Sequence, residues 1–228
     1  MSESMFKHEP VDLGYNDLIA ETGKKGRVYN TPDGTQYPSI TTVLSILNEE
    51  HIQKWRKRVG DAEANRISHK ASTRGTAVHS LLEKYVDNDP NFKDGFMPHV
   101  IGSFQDVKTV LDQSLTKVYA QEAPLYSEHL GVAVRVDCVG EWNGKPAIID
   151  YKTSAKVKKK EWVTNYFLQC CAYAIMWEER TGQPITQLVI LIAVDGNEPQ
   201  VFVEHRDNWD KKLIETITEY RRRKMFGR

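Results

Sequence analysis

Two aspartates, Asp137 and Asp150, lie at matching distances on either side of an Asn143-Gly144 dipeptide. Asn-Gly is a strong signal for a two-residue hairpin turn, because a type I′ turn requires positive φ at both central positions. With this dipeptide in the loop, Asp137 faces Asp150 across the hairpin and Arg135 faces Lys152. Residues that face each other lie on one side of a sheet, with Cβ atoms about 4.5–5.5 Å apart. The spacing therefore predicts two acids and two bases clustered on one face.

The opposite face of this hairpin is predicted to be ordinary core. Its residues are Val132, Val134, Val136, Cys138, Ala147, Ile149 and Tyr151. Opposed carboxylates in otherwise apolar strands are costly to bury and repel each other. A bound divalent cation would offset both effects, because carboxylate oxygens are its preferred ligands. A solvent-facing ladder of Arg, Asp, Asp and Lys ion pairs is the alternative explanation of the hairpin alone.

The composition limits the classes of protein that the chain can belong to. Its 228 residues suit one large α/β domain, or at most two small ones. With 40% hydrophobic and 27% charged residues, disordered and fibrous classes are excluded. The longest apolar run, Leu188–Val194, is far shorter than a membrane span, so no membrane partner is expected. The 31 basic and 31 acidic residues exclude a uniformly basic nucleic-acid binder but permit local basic patches.

The cysteines and the N-terminus bear on the compartment. Cys138, Cys170 and Cys171 include an adjacent pair and no CxxC spacing. We therefore expect reduced thiols in a cytosol-like compartment, with no disulfide framework, structural zinc site or four-cysteine iron–sulfur cluster. The first twenty residues are acidic and lack an apolar core, which predicts neither a secretory signal nor a transit peptide.

Hydrophobic periodicity and turn signals predict the elements that position the hairpin. Residues 1–26 are polar and weakly patterned, which predicts a loosely held N-terminal arm. A hairpin of Arg27–Asn30 with Thr35–Tyr37 and a short helix Ile40–Leu47, capped by Ser39, follow. Further helices are predicted over 51–70, 73–85, 100–118, 161–180 and 207–226, and strands over 119–127, 132–142, 145–153, 188–194 and 200–205. This order predicts a single α/β domain, with a central mixed sheet flanked by helices.

Five segments, in chain order, resemble the RecB-type branch of the PD-(D/E)xK nuclease superfamily. They are RGTAVH (74–79), EAPLYS (122–127), GVAVRVDCVG (131–140), IIDYKTS (148–154) and LQCCAYA (168–174). YPSITTVL (37–44) and NYFLQCCAYAIMWEERTG (165–182) further resemble the subgroup of mitochondrial genome maintenance exonucleases and their phage relatives. The resemblance implies a restriction-endonuclease-like nuclease domain over 27–228. Within it we expect a hairpin and helical DNA-binding arm over 27–72 and a catalytic core over 73–228.

The resemblance implies a role for each matching residue of the site. Asp137, Asp150, Lys152 and Glu122 are the expected catalytic residues. The expected metal ligands are His79, Asp137, Asp150 and the backbone carbonyl of Tyr151. Hard oxygen ligands suit Mg²⁺ or Mn²⁺, and Lys152 would orient or deprotonate the attacking water and stabilise charge on the phosphate. For Glu122, a buried structural hydrogen bond is the alternative. No iron–sulfur cluster is expected, since the four cysteines that hold one in part of the family are absent.

Several other residues are candidates for binding nucleic acid. By the resemblance, Gln169 and Tyr173 help to position the DNA strand and the active-site lysine, although Tyr173 could instead be core. Arg74 could meet a phosphate or pair with an acid. Trp55 and Arg56 belong to HIQKWRKR (51–58), where an aromatic residue among bases fits a stacking and phosphate-binding surface. Lys156 and Lys158 follow the Asp-x-Lys strand closely; a solvated surface is the alternative for both basic runs.

The resemblance implies a metal-dependent DNA exonuclease that prefers single-stranded DNA or single-stranded ends. Such an enzyme would act in replication, repair or recombination, with proteins of those pathways as candidate partners, in the cytoplasm of a bacterial or phage-infected cell. Two alternatives are a structure-specific or flap endonuclease of the same superfamily and a catalytically inactive DNA-binding module. The sequence leaves the oligomeric state open.

Overall fold

The protein is described by a computed structural model over residues 6–23 and 26–227. The strands in this part of the chain are β1 (Lys7–His8), β2 (Ile19–Gly23), β3 (Gly26–Asn30), β4 (Gln36–Pro38), β5 (Leu115–Ser127), β6 (Val132–Trp142), β7 (Lys145–Ser154), β8 (Gln187–Val194) and β9 (Gln200–His205). The helices are α1 (Ile40–Leu44), α2 (Glu49–Val59), α3 (Asp61–Val86), α4 (Pro98–Ser114), α5 (Thr164–Thr181) and α6 (Asp210–Met225), with short 3₁₀ helices at Ser45–Leu47, Lys160–Trp162 and Arg206–Asn208.

A six-stranded mixed sheet in the order β1-β5-β6-β7-β8-β9 forms the centre of the fold. Strands β5, β6 and β7 make the predicted antiparallel meander, and α5 carries the chain over to β8, which pairs parallel to β7. A smaller sheet of β2, β3 and β4 contains the predicted first hairpin. The α/β class and the mixed sheet flanked by helices are therefore confirmed.

The main sheet is covered on both faces. One core lies between the sheet and helices α1, α5 and α6, and is called the α5 core here. The other lies between the sheet and helices α3 and α4, and is called the α3 core. Strand β8 alternates between them, with Ile190 in the α5 core and Leu191 in the α3 core. This confirms that its continuous apolar run is buried on both faces.

The predicted register of the hairpin is correct, but its ladder is shorter than expected. Trp142 pairs with Lys145 and Cys138 with Ile149, as the Asn-Gly turn requires, and the recorded pairing ends there. Beyond Ile149, strand β7 continues beside β8 instead of β6. The expected direct pairing of Asp137 with Asp150 is therefore not part of the ladder. Asp137 is instead joined to β7 by a hydrogen bond from the amide of Tyr151.

Along β6, the side chains at every second position do not all face the same core. The sequence did not predict this change. Val132, Val134 and Val136 lie in the α5 core, whereas Cys138 lies in the α3 core with Ile149 and Tyr151. The expected single apolar face was therefore wrong. The change occurs at Asp137, which lies across from Glu122 of β5, between the pairs Gln121–Cys138 and Ala123–Val136. Glu122 has a φ of 44°, so the alternation of the strand is interrupted there.

Residues 6–23 are not the loosely held arm expected from their polar composition. Phe6 is buried in the α3 core, and β1 pairs parallel to β5 at the edge of the main sheet. Strand β2 pairs along its whole length with β3. Backbone pairing needs no apolar pattern, which is why composition did not reveal it. The predictions for residues 1–5, 24, 25 and 228 lie outside the described residues.

The helix boundaries differ from prediction in two places. The break between the helices predicted over 51–70 and 73–85 lies at Gly60, whose φ of 84° suits glycine. Helix α3 therefore runs unbroken from Asp61 to Val86. Helix α4 ends at Ser114, because the chain enters β5 at Leu115, so Val118 is a strand residue. No helix in the described ranges is long and apolar enough to cross a membrane. The three cysteines are buried and free.

Candidate active site

Three side chains from separate elements converge at the point where β6 changes face. His79 comes from α3, Glu122 from β5 and Asp137 from β6, and their nearest ligand atoms lie within 4.8 Å of one another. His79 Nδ1 is 3.5 Å from Asp137 Oδ2. All three residues are half-buried, so they form the wall of a site and not part of the core. The structure thus brings together residues that were predicted from three different segments.

The backbone of Glu122 explains how its carboxyl group reaches this cluster. A φ of 44° is unfavourable for a residue with a Cβ, and such conformations persist only where the surroundings hold them. Arg135 provides one such restraint, because its guanidinium donates a hydrogen bond to the carbonyl oxygen of Glu122. The same guanidinium forms an ion pair with Asp17. Arg135 therefore connects the N-terminal segment to the strand that presents Glu122.

The electrostatics of the cluster favour a bound cation. Burial, together with the nearby Asp137 and Glu83 carboxylates, raises the pKa of Glu122 to about 7, and the charge of Arg135 opposes this rise. Burial, followed by Asp87, also raises the pKa of Glu83. Two carboxylates and an imidazole within ligand distance of each other suit a divalent ion, which would remove the repulsion between the acids. His79, Glu122 and Asp137 are therefore the residues placed to hold a metal.

Asp150 of β7 is the second acid predicted for this site. Its carboxylate is fully buried, forms an ion pair with Lys152 and accepts a hydrogen bond of 3.3 Å from Gln169. Burial raises the pKa of Asp150 to about 6, and the charge of Lys152 opposes this rise. The amide of Tyr151 donates to Asp137 Oδ2 at 2.8 Å, which ties the two strands together where their ladder has ended. The two acids are thus linked through the backbone between Asp150 and Lys152.

Lys152 is the basic partner of Asp150. Its side chain is 19% exposed, whereas that of Asp150 is fully buried. Burial alone would lower the pKa of Lys152, but Asp150 and Asp137 raise it above its usual range. The ring of Tyr166 lies 5.1 Å from the Lys152 nitrogen. Tyr166 was not among the predicted site residues. The feature that could have indicated it is its position on α5, one turn before Cys170.

Gln169 and Tyr173 of α5 lie next to Asp150. Tyr173 is only 1% exposed, and its hydroxyl accepts a hydrogen bond from the same Gln169 amide that contacts Asp150. This burial favours the alternative interpretation of Tyr173 as core. Gln169 is half-buried, and its role in positioning the DNA strand and the lysine stays a prediction.

Two of the arginines predicted to meet phosphate are engaged within the protein. Arg74 forms a two-pronged ion pair with Asp195, which follows β8, and is 17% exposed. Arg56 contacts Asp61 at 2.8 Å and Asn65 at 2.9 Å, and so joins α2 to α3 around Gly60. For Arg74 the structure favours the alternative of pairing with an acid.

The remaining predicted DNA contacts lie at the surface. Trp55 on α2 is half-buried, and Lys156 is exposed in the segment after β7. The backbone of Lys158, in the same segment, exchanges two hydrogen bonds with the side chain of Gln200, at 2.7 and 2.8 Å. This segment therefore has a defined position beside the end of the strand that carries Lys152.

Residues 93–226 match the profile of the PD-(D/E)XK nuclease superfamily. The matched range is more than half of the chain and contains Glu122, Asp137, Asp150 and Lys152, whereas His79 precedes it. The three-residue cluster thus combines two acids from the matched range with a histidine from the preceding helix.

Two curated relatives are the mouse (Mus musculus) and human (Homo sapiens) proteins named Mitochondrial genome maintenance exonuclease 1. The mouse protein is 26% identical over 129 residues, and the human protein is 27% identical over 137 residues. Each match covers 53% of this chain and 38% of the relative, so the chain spans well under half of their length. A solved structure from Eubacterium rectale is 14% identical, with a TM-score of 0.44 over 63% of each chain.

Proposed function

Because the chain belongs to the PD-(D/E)XK nuclease superfamily, we propose that it is a divalent-metal-dependent DNA exonuclease. It hydrolyses phosphodiester bonds and prefers single-stranded DNA or single-stranded ends. The observation that carries this proposal is the convergence of His79, Glu122 and Asp137 beside the Asp150–Lys152 ion pair. A DNA-binding module has no need for crowded acids that would repel a phosphate backbone.

Each residue of the site has a chemical task in this proposal. When bound, Mg²⁺ or Mn²⁺ supplies a Lewis acid and lowers the pKa of a water molecule. His79, Glu122 and Asp137 would hold the ion, and Asp150 and the carbonyl of Tyr151 would be the further ligands that the family resemblance implies. Lys152 orients the water and stabilises the negative charge that develops on the phosphate. Gln169 keeps Asp150 in place, and Arg135 keeps Glu122 in place.

The preference for single strands and ends is supported by less direct observations. Both curated relatives are named as exonucleases, although this chain matches only 38% of their length. We assign residues 27–72 to a DNA-binding arm and 73–228 to the catalytic core. In this arm, α2 exposes Lys54, Lys57 and Arg58, which fits contact with a phosphate backbone. Roles in replication, repair or recombination, and partner proteins of those pathways, are part of the same proposal.

End-labelled linear single- and double-stranded DNA, with Mg²⁺ or Mn²⁺ and a matched EDTA sample, test the activity. We expect progressive shortening of the single strand that requires the metal. Single-stranded RNA of the same sequence tests the preference for DNA. Absence of cleavage of any strand under all metal conditions would contradict the proposal of an enzyme.

Covalently closed circular single strands separate the exonuclease from the alternative endonuclease. An exonuclease leaves circles intact but degrades the same strand after one cut. Cleavage of the circles would favour a structure-specific or flap endonuclease. Binding of DNA without cleavage of either form would favour the inactive binding module.

The cellular location stays a prediction. The expected location was the cytoplasm of a bacterial or phage-infected cell, and the mitochondrial name of both curated relatives weighs against it. Immunodetection in fractions of the source cells would test it directly.

A further inference from the structure

The turn between β7 and α5 exposes two large apolar side chains near the site. Trp162, at the end of the 3₁₀ helix Lys160–Trp162, is 57% exposed, and Val157 is 51% exposed. Tryptophan is highly buried on average, so a ring this open is uncommon. Neither residue has a task in the chemistry described above.

This turn is held firmly, so the tryptophan ring has a defined position. Both hydrogen bonds of the Lys158 backbone go to Gln200 of β9, and Lys160 pairs with Glu204 of the same strand. On the other side of Trp162, Val163 is fully buried in the α5 core. The exposed ring is thus part of a fixed surface and not the tip of a loose loop.

The ring also lies close to the proposed chemistry along the chain. Trp162 precedes Tyr166 by four residues, and the backbone winds helically between them through bonds from Val163 to Lys160 and from Tyr166 to Val163. The Tyr166 ring in turn lies 5.1 Å from the Lys152 nitrogen, so the turn that carries Trp162 joins the strand of Lys152 to the helix of its ring neighbour Tyr166.

Several lysines precede Trp162 in the chain, and one of them contacts its ring. The Lys159 nitrogen lies 5.5 Å from the centre of the Trp162 ring. Lys156, Lys158 and Lys160 complete the run, and of these four only Lys160 has an acid within ion-pair distance among residues 6–23 and 26–227. An aromatic ring beside unpaired lysines matches what a single-stranded nucleic acid presents, namely flat bases and a negative backbone.

We propose that Trp162 is a base-stacking platform, with Lys156 and Lys159 as phosphate contacts, for an unpaired nucleotide of the strand bound at the proposed site. This assignment rests on the proposed function and adds a specific contact to it. It also gives a physical reason for a preference for unpaired strands, because only an unstacked base can offer a free face to the ring.

The test compares two oligothymidylates, one normal and one with abasic sites near the cleaved end. The apparent affinity is measured by fluorescence anisotropy in EDTA, and kcat/KM with Mn²⁺. We expect the wild type to prefer the normal strand by about 5- to 150-fold, the range of one base–aromatic stack. Trp162→Ala abolishes most of this preference, and Trp162→Phe restores part of it. Phe226→Ala, at an equally open ring (72% exposed) on the end of α6, leaves the preference unchanged.

Each outcome decides one of the two proposals. If the wild type cleaves or binds the normal strand but Trp162→Ala keeps the full preference, the platform is wrong and the nuclease proposal stands. If the wild type shows no preference for the normal strand, the platform is wrong as well. If the wild type neither binds nor cleaves DNA, the proposed function itself fails. Because Trp162 is exposed, thermal unfolding of the alanine variant should match the wild type.

Discussion

At the scale of single residues, Glu122 combines an unfavourable backbone conformation with an unfavourable charge environment. Its left-handed backbone costs about 1–2 kcal/mol, and its carboxyl group is half-buried near two other acids. Both costs would be offset by an ion held between Glu122 and Asp137, and the backbone is restrained by Arg135. The residue is thus arranged for a ligand and not for stability of the metal-free protein.

The raised pKa of Glu122 predicts a pH dependence of stability in the metal-free protein. The folded state holds this proton up to about pH 7, whereas the unfolded chain releases it near 4.5. Between these values the folded state binds more protons, so the contribution of Glu122 to the free energy of unfolding falls as pH rises and is constant above the window. Urea unfolding in EDTA from pH 4.5 to 8 should show that Glu122→Gln gains stability relative to wild type across this interval.

Glu198→Gln, at an exposed acid in the β8–β9 turn, is the matched control. Its stability should run parallel to that of the wild type. If the stability of Glu122→Gln also runs parallel to that of the wild type over this pH range, the pKa of Glu122 in the folded protein is close to its value in the unfolded chain.

Lys152 gives the second prediction at this scale. We expect Lys152→Ala to lower cleavage by at least about 100-fold, because it removes the charge that stabilises the phosphate, while DNA binding remains within a few-fold. Since Asp150 is buried and loses its partner, the variant should also unfold more easily. Lys152→Met, which keeps the aliphatic stem, separates lost charge from lost packing, and Lys211→Ala, at an exposed lysine of α6, is the surface control. Unchanged turnover in both Lys152 variants would remove this residue from the mechanism.

At the scale of elements, the site exists because β5 and β6 change register and face together. The pairing of these strands shifts between Leu115 and Lys117, and again between Val118 and Ala120. Past these shifts, Glu122 lies directly across from Asp137, and its positive φ interrupts the alternation of β5 at that point. Helix α3 contributes His79 to the same cluster. A regular hairpin would present only its own residues.

Gly140 is predicted to be essential for this irregular pairing. A Cβ there would lie 2.3 Å from the backbone oxygen of Lys117 and 3.0 Å from Leu115 Cδ1, so that β5 would have to move. We expect Gly140→Ala to lower the free energy of unfolding by about 1–3 kcal/mol and to weaken metal binding. Gly102→Ala on α4, where no atom lies within 4 Å, should instead stabilise the protein by about 0.5–1 kcal/mol. Chemical denaturation measures both, and equal effects of the two variants would contradict the close contact.

At the scale of the whole molecule, zero net charge hides an uneven distribution. Many cations are neutralised within helices, as with Arg222 and Arg223, which share Glu219 on α6. Other bases are exposed and form no ion pair among residues 6–23 and 26–227; they include Lys57 and Arg58 of α2, and Lys156 and Lys159 after β7. Local patches therefore supply the attraction for DNA, and binding should weaken steeply with salt.

A metal that binds only the folded cluster should stabilise the entire protein. At pH 8, with the free ion at about 100 times its dissociation constant, the gain is about 2.7 kcal/mol. For a chain of this size that corresponds to about 5–10 °C in the unfolding midpoint. Scanning fluorimetry with Mg²⁺, Mn²⁺ or EDTA should show this shift for wild type and for Asp94→Asn, an exposed control, but not for Asp137→Asn. An equal shift in Asp137→Asn would place the ion elsewhere.

Much of this fold followed from the sequence alone. The Asn143-Gly144 turn set the register of β6 and β7, the apolar run of β8 predicted a doubly buried strand, and Ser39 was correctly expected to cap α1. His79, Glu122 and Asp137 were all candidates before the structure. These features depend on local backbone preferences and on side-chain periodicity, which can be read over a few residues.

Only the tertiary structure decided how those residues are grouped. It placed Glu122 with His79 and Asp137, turned Asp150 inward to Lys152 and Gln169, and buried Tyr173. It also joined β1 to the main sheet. The reason is that a single left-handed residue and two register shifts change which face every later side chain occupies. Those shifts are set by packing between distant segments, whose energies do not appear in any local pattern of residues.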